Sequence, residues 1–568
     1  MSEEYMQNEN EFPEEENYQG DEFADDWREE EEEESSEPPF TTSIDDEGVY
    51  DPKIAIINNF KVYMFGINAD LLPNGNIVVD IPRTFLPITL QVAYGFIQHD
   101  IAFNLKVDIV KGWNSPFSKA YVKHPISGEI YTGRTLVKDA ILNFFKPDYK
   151  PKTYYRSAPF FFYSTTKPDD GKVNLITSNG FEINQAKRAL SICRNDVEKT
   201  LLFLRTGQLD MSEHLNDSKP PCTYLDNPLI YLVLEIADSI FDLQDHCSIC
   251  RCPIQPGIKP TSCNNPKCQF IFADIGAGIS LVQEIKRDVL VADLLFTVFM
   301  CAKDTDFLTP APPFNSKQLK NIVKKIPQIS VVASYKNDQE LCESIGADAF
   351  SLLRWVILTN RSQLFYLHPQ IELPCFKNRS CFQFMALISS PEQEDIFQQL
   401  KKKYGSIFLW HGSPGERWHS IIRNGLINAS HTKLMRVGAA YGEGIYFARD
   451  SSISQGYSNV SENPFKGSKL GRSFFCIALC EVINLPRQKD ISEVVLVRDP
   501  ETGNRVKKTI KGKFNEHDYC FTLTMEEACI VRFVIVNLQN HVNVYTNPPQ
   551  NLPSLIDVLD VQAKAIVQ

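Results

Sequence analysis

Residues 408–457 read FLWHGSPGERWHSIIRNGLINASHTKLMRVGAAYGEGIYFARDSSISQGY, and their succession of strand, turn, helix and glycine-flanked strand decides the fold of this region. The run Ile407-Phe408-Leu409-Trp410 is short and apolar, as a buried strand should be, and it breaks at His411-Gly412-Ser413-Pro414. Trp418, Ile421, Ile422 and Leu426 then recur at helical spacing, with Asn424-Gly425 as the stop. Gly442-Glu443-Gly444-Ile445-Tyr446-Phe447-Ala448 follows, and Ser454 and Tyr457 close the stretch. Gly412 would allow a flat amide to approach the backbone, Tyr457 offers a rigid aromatic face, and Ser454 offers a hydroxyl.

Taken together and in order, HGS, GxGIYFA and the later Ser454 and Tyr457 resemble the catalytic domain of the poly(ADP-ribose) polymerase family, the diphtheria-toxin-like ADP-ribosyltransferases. The resemblance implies a split antiparallel sheet and NAD as substrate. It assigns His411 to the adenine ribose and Tyr446 to the nicotinamide end. Gly412, Ser413 and Ser454 would orient the carboxamide, and Tyr457, eleven residues beyond Tyr446, would stack on the ring. No nucleophile or catalytic metal is implied, so catalysis would rest on orientation and on stabilising an oxocarbenium-like transition state. His419 and His431 are read as packing or surface residues.

In polymerising members a glutamate near the start of a late strand polarises the hydroxyl that receives the next unit. Aligning the apolar run Cys529–Val536 puts Phe533 at that position, and a slip of three puts Ile530 there. Neither accepts a proton. Glu526 and Glu527 fall earlier, on the preceding turn. Elongation should therefore fail, and the pattern is similar to the mono-ADP-ribosylating branch; within it, the upstream Cys-rich segment and the run Leu353-Arg354-Trp355-Val356-Ile357-Leu358-Thr359-Asn360-Arg361-Ser362 most resemble the paralogues numbered six and eight. The expected activity is transfer of one ADP-ribose unit to protein acceptors, including the chain itself. The rival reading is an inactive NAD-domain scaffold that binds ubiquitinated partners.

The chain has 568 residues and a net charge of −13 that is unevenly spread. Residues 1–40 carry 18 acidic side chains against Arg28 alone, whereas the remainder is close to neutral. Such a tail cannot bury enough surface to fold and is expected to be disordered. The body shows no basic stripe for nucleic acid. Its apolar runs are interrupted by charge, so no membrane span is expected. The 15 cysteines without secretory features suit a reducing compartment, the cytoplasm or the nucleus.

Three further signals lie upstream. Residues 172–207 look like a ubiquitin-associated (UBA) helical module, with Asn179-Gly180-Phe181 in the loop, Asn184 and then Asn195 or Asp196 as helix caps, and Leu201 and Leu202 toward ubiquitin. Cys247-x2-Cys250 and Cys263-x4-Cys268 can present four thiolates for structural zinc, with Cys252 and His246 as substitutes. Residues 50–165 alternate strand-like runs with turns such as Pro73-Asn74-Gly75, vaguely like an RWD or ubiquitin-conjugating fold. They contain no cysteine and so carry no thioester.

The expected architecture is multidomain α+β. It comprises an acidic tail at 1–48, a small α+β module at 49–168, a UBA-like module at 172–207 and a Cys-rich module at 225–275. A helical accessory region at 276–395, the transferase at 396–545 and a tail at 546–568 complete it.

Overall fold

The structure is a computed structural model that describes residues 52–91, 100–107, 119–122, 133–162, 166–207, 219–242, 245–275, 280–430, 443–484, 491–498, 505–514 and 521–537. Short gaps fall at 65, 88–89, 256, 258, 377–378 and 390, and residues 113, 552–553 and 558 are described singly. The acidic tail, His431, Gly442 and most of 546–568 lie outside the described residues.

Helix α1 (Pro52–Tyr63) precedes an antiparallel meander, β1 (Asn68–Leu71), β2 (Ile77–Ile81), β3 (Ile101–Lys106) and β4 (Lys119–Val122). The first turn is the expected one: Gly75 takes φ +78° and donates to the Leu72 carbonyl. Alternation along β3 buries Ile101, Phe103 and Leu105, and α2 (Gly133–Phe144) closes the module.

Three helices follow, α3 (Asp170–Ser178), α4 (Ile183–Ile192) and α5 (Val197–Thr206); the caps and apolar spacing marked two of them, and the UBA resemblance implies three. Asp169 caps α3 and Asp196 caps α5 through their carboxylates. Asn184 is not a cap, because α4 begins one residue earlier. Asn195 instead joins the two caps, accepting from Asp169 N and donating to the Lys167 carbonyl. Helix α6 (Pro228–Phe241) is apolar nearly all round and shares one core with the described elements from α1 onward.

A second core begins after the cysteine loop, with α7 (Pro266–Ile275), α8 (Leu281–Arg287), α9 (Val289–Ala302), α10 (Ser316–Ile322), α11 (Ile329–Val332), α12 (Asp338–Ile345) and α13 (Ala347–Leu358). The described residues from Leu281 to Leu358 are mainly helical. Beyond them β5 (Gln363–Tyr366) and β6 (Phe382–Ile388) are strands of the transferase sheet, so that sheet starts earlier than 396.

The remaining elements are α14 (Pro391–Tyr404), β7 (Ser406–Gly412), α15 (Trp418–Asn424), β8 (Ile445–Phe447) and α16 (Ser451–Gln455). They are followed by β9 (Ser461–Glu462), β10 (Ser473–Phe474), β11 (Cys476–Ile483), β12 (Ile491–Arg498), β13 (Arg505–Phe514), β14 (Phe521–Leu523) and β15 (Cys529–Val536). They form a five-stranded sheet, β5-β6-β15-β11-β7, and a four-stranded sheet, β12-β13-β14-β8. Every pairing is antiparallel, and a Trp410–Ala448 bridge joins the two sheets at β7 and β8. This is an α+β architecture with a split antiparallel sheet. No helix among the described residues is long and apolar enough to cross a membrane.

Candidate active site

Strand β7 delivers His411 and Gly412 to the junction of the sheets. Trp410 exchanges two backbone hydrogen bonds with Ala448, 2.7 and 2.9 Å, and this registers β8 beside the end of β7. His411 Nδ1 then donates to the Tyr446 carbonyl at 2.9 Å, with its ring 5.8 Å from that of Phe447. Burial pulls the imidazole down to about 4; the bond to Tyr446 opposes this, and the Arg417 cation adds to it. The ring is neutral at pH 7 with its proton on Nδ1, so Nε2 keeps a lone pair to accept from a hydroxyl.

His419 is buried too, and its role is packing. Its Nε2 bonds the Pro310 carbonyl at 3.0 Å and its ring lies over Trp355. Burial, with Arg423 adding, lowers it to about 3. Both histidines are depressed below their unfolded value near 6.5. The unfolded chain therefore binds more protons between about pH 4 and 6.5, and stability falls as pH drops through that window. Lowering pH from 7 to 5 should cost roughly 3 kcal/mol from the two together, read as a falling urea midpoint. An unchanged midpoint would mean that neither ring is held neutral.

Gly412 meets α16 so closely that a Cβ would lie 1.7 Å from the Ser454 carbonyl oxygen. Its bareness therefore serves helix packing, a reason the sequence reading did not supply. Ser413 is buried; its N–H donates to Ser458 Oγ at 3.0 Å and its carbonyl accepts from Trp418 Nε1 at 2.9 Å. Ser454 is buried within α16, and its carbonyl accepts from Tyr457 N at 3.1 Å. Tyr457 itself is 50% exposed. His411, Gly412, Ser413, Tyr446, Ser454 and Tyr457 thus form one contiguous group. Ser458 and Trp418, which fix the Ser413 backbone, were missed; the Ser directly after Tyr457 was the signal for the first.

Phe533 does not join them. Cross-strand partners share a face of a sheet, and Phe533, Leu479 and Trp410 are successive partners across β15, β11 and β7. His411, Ala478 and Val534 point the other way. Phe533 is 2% exposed in an apolar cluster with Trp410, Ile477, Leu479, Ile535 and Val558. Ile530 is likewise core. The strand beside Tyr446 is β14, with Thr522 opposite Tyr446. Residues 515–520 lie outside the described residues. Glu526 and Glu527 do lie on the turn before β15, where Glu526 accepts from Asn428 N at 2.9 Å.

The cysteine loop forms a second cluster. The sulfurs of Cys247, Cys250, Cys252 and Cys263 all lie within 4.8 Å of one another, and Cys250 and Cys263 are 3.7 Å apart. Cys252 belongs to this mutual group, and Cys268 is a further, buried thiol clustered with Cys247 and Cys263. His246 is engaged elsewhere, with Asp245 at 2.7 Å. Arg251 at φ +58° turns the loop, and Cys263 N donates to Cys247 Sγ at 3.2 Å, which suits a thiolate. Four converging sulfurs could hold a metal ion and would leave no open position on it.

Comparison with known proteins agrees with the geometry. Residues 381–526 match the poly(ADP-ribose) polymerase catalytic domain. Mono-ADP-ribosyltransferase PARP8 of Mus musculus is 32% identical over 306 residues, covering 45% of this chain and 36% of that protein. The Homo sapiens PARP8 is 32% identical over 336 residues, covering 50% and 39%. Mono-ADP-ribosyltransferase PARP16 of Mus musculus is 26% identical over 231 residues, covering 37% of this chain and 69% of its own. The chain therefore spans well under half the length of the PARP8 proteins it matches. Residues 381–526 thus match the poly(ADP-ribose) polymerase catalytic domain, and the chain is similar there to proteins named as mono-ADP-ribosyltransferases.

Proposed function

We propose that this protein transfers a single ADP-ribose unit from NAD to a protein side chain, itself included, and releases nicotinamide. The observation that carries the reading is the neutral His411, fixed by the Tyr446 carbonyl through Nδ1 so that Nε2 can accept. In this role His411 bonds the adenine-side ribose. Gly412 and Ser413 offer backbone groups and Ser454 its hydroxyl to the carboxamide, while Tyr446 and Tyr457 hold the nicotinamide end. The bond that breaks joins the ribose C1′ to the pyridinium nitrogen, whose departure with the electron pair removes its positive charge. The acceptor attacks C1′ and loses its proton. The chain contributes orientation, and the acceptor's own environment supplies the base. That a single unit is moved rests on the relatives' names, since Phe533 is remote from the group.

Intact-mass spectrometry of the full chain with NAD should show discrete single ADP-ribose increments. His411→Ala should reduce them at least about 10²-fold without altering the fold, because one orienting bond is lost in a site without a nucleophile. Equal labelling by that variant would refute the assignment; a long ladder on one peptide would refute transfer of a single unit.

We also read the thiol cluster as a structural zinc site, and the cytosol as a compartment that keeps its sulfurs reduced. The ubiquitin-binding reading of α3–α5 finds support in one feature: Leu175 and Ile183 are 54% and 58% exposed on either side of the Asn179-Gly180-Phe181 loop.

A further inference from the structure

The cysteine loop is joined to the candidate donor site by a continuous set of hydrogen bonds. Ser248 N and Oγ both donate to the Thr261 carbonyl at 2.9 Å, which folds one half of the loop onto the other. Arg361 lies immediately outside. Its Nε donates to the Ser262 carbonyl at 3.0 Å, and its Nη1 bonds the Asn264 side chain, on both sides of Cys263. The neighbouring Ser362 is buried and donates from Oγ to the Ile422 carbonyl in α15. Gln363 donates to the Lys259 carbonyl at 3.2 Å, and Gly257 approaches it so closely that a Cβ would stand 2.4 Å from Nε2.

Helix α15 has only seven residues, and the last carbonyls of any helix lack partners within it. Ser362 satisfies one of these. In return Arg423, from α15, donates to the Trp355 and Val356 carbonyls at 3.2 and 2.8 Å and to Thr359 Oγ1 at 2.8 Å, closing the end of α13. Burial lowers the Arg423 guanidinium to about 9, still charged at neutral pH. At its other end α15 holds Ser413 through Trp418 Nε1.

We propose that Arg361 and Ser362 are positioning residues for ADP-ribosyl transfer: they anchor α15, and with it the His411-Gly412-Ser413 turn, to a zinc-bound cysteine loop. This rests on the transferase and zinc readings above. The cluster then acts as a strut on the donor site rather than as an independent finger, since α15 is too short to hold its own position.

The test uses the full chain purified with its metal, and the variants Ser362→Ala, Ser362→Thr and Arg361→Gln. Zinc content, amide exchange across 413–424 and the KM and kcat for NAD are measured in each. The Ala and Gln variants should keep their zinc yet exchange faster across 413–424, with KM for NAD raised about 10-fold and kcat changed less. Ser362→Thr should restore both. Chelation of the wild-type protein with EDTA should release zinc and accelerate the same segment. Wild-type exchange in Ser362→Ala and Arg361→Gln would overturn the strut. Protein without zinc, or exchange that chelation leaves unaltered, would overturn its dependence on metal. Exchange reads the strut even if the wild type turns over no NAD, which would sink the transferase reading alone.

Discussion

Gly412→Ala should all but abolish NAD-dependent labelling while leaving the N-terminal modules folded. The added methyl would lie 1.7 Å from the Ser454 carbonyl oxygen, 2.6 Å from its carbon and 2.9 Å from Ser458 Oγ. Two of those contacts are backbone, so no rotamer change relieves them. Gly412 is tied into the ladder opposite Ile477, and therefore α16 must move instead. Any such shift carries Ser454 and Tyr457 away from His411 and breaks the bond between Ser413 N and Ser458. A displacement of about 1 Å in a site that works by orientation costs on the order of 10²-fold in rate. Overpacking adds roughly 1–3 kcal/mol of destabilisation. Labelling of the variant at the wild-type rate would mean that α16 is not packed on β7 as described.

The largest expected loss of stability belongs to Arg532→Ala. Arg532 rises from the centre of the five-stranded sheet and grips Glu394 of α14 through two bonds, 2.8 and 2.9 Å, and Glu481 of β11 through a third at 2.9 Å. All three side chains are at most 12% exposed. Burial pushes Glu481 up, but Arg532, Lys401 and Ser406 together hold it below the usual carboxylate range. Removing the guanidinium leaves two buried carboxylates short of their main counter-charge, which costs about 3–5 kcal/mol. A carboxylate depressed in the folded state stabilises above its unfolded pKa and loses that contribution as pH falls. The wild type should therefore lose this share under acid, and the variant, lacking it already, should show a flatter profile below about pH 5. Thermal unfolding across pH reads both. The double variant Arg532→Met with Glu394→Gln should recover part of the loss, because the burial of one unpaired charge is removed.

Much of the site was legible in the linear chain. The apolar run 407–410 and the glycine at 425 are local patterns, set by backbone sterics and side-chain periodicity, whereas grouping His411 with Tyr446 and Tyr457 rested on the family resemblance. Those forces act over a few residues, so β7, α15 and β8 follow from them directly. The turn at Gly75 and the cap at Asp196 follow in the same way.

What failed was everything that depends on which strand lies beside which. Phe533 sits in a well-read strand, β15, yet lies on the face opposite His411, because strand order and register across β7, β11 and β15 are fixed by long-range packing. Strands β5 and β6 were hidden in a region read as helical, since their identity comes from pairing with β15. The convergence of Cys252 with Cys247, Cys250 and Cys263, and the contact of Gly412 with Ser454, likewise depend on how separate segments pack. The sequence by itself determined the elements with strong local patterns and the chemical groups they carry. Tertiary structure alone decided which of those groups share a face, because partners distant in the chain meet only when the whole core is buried together.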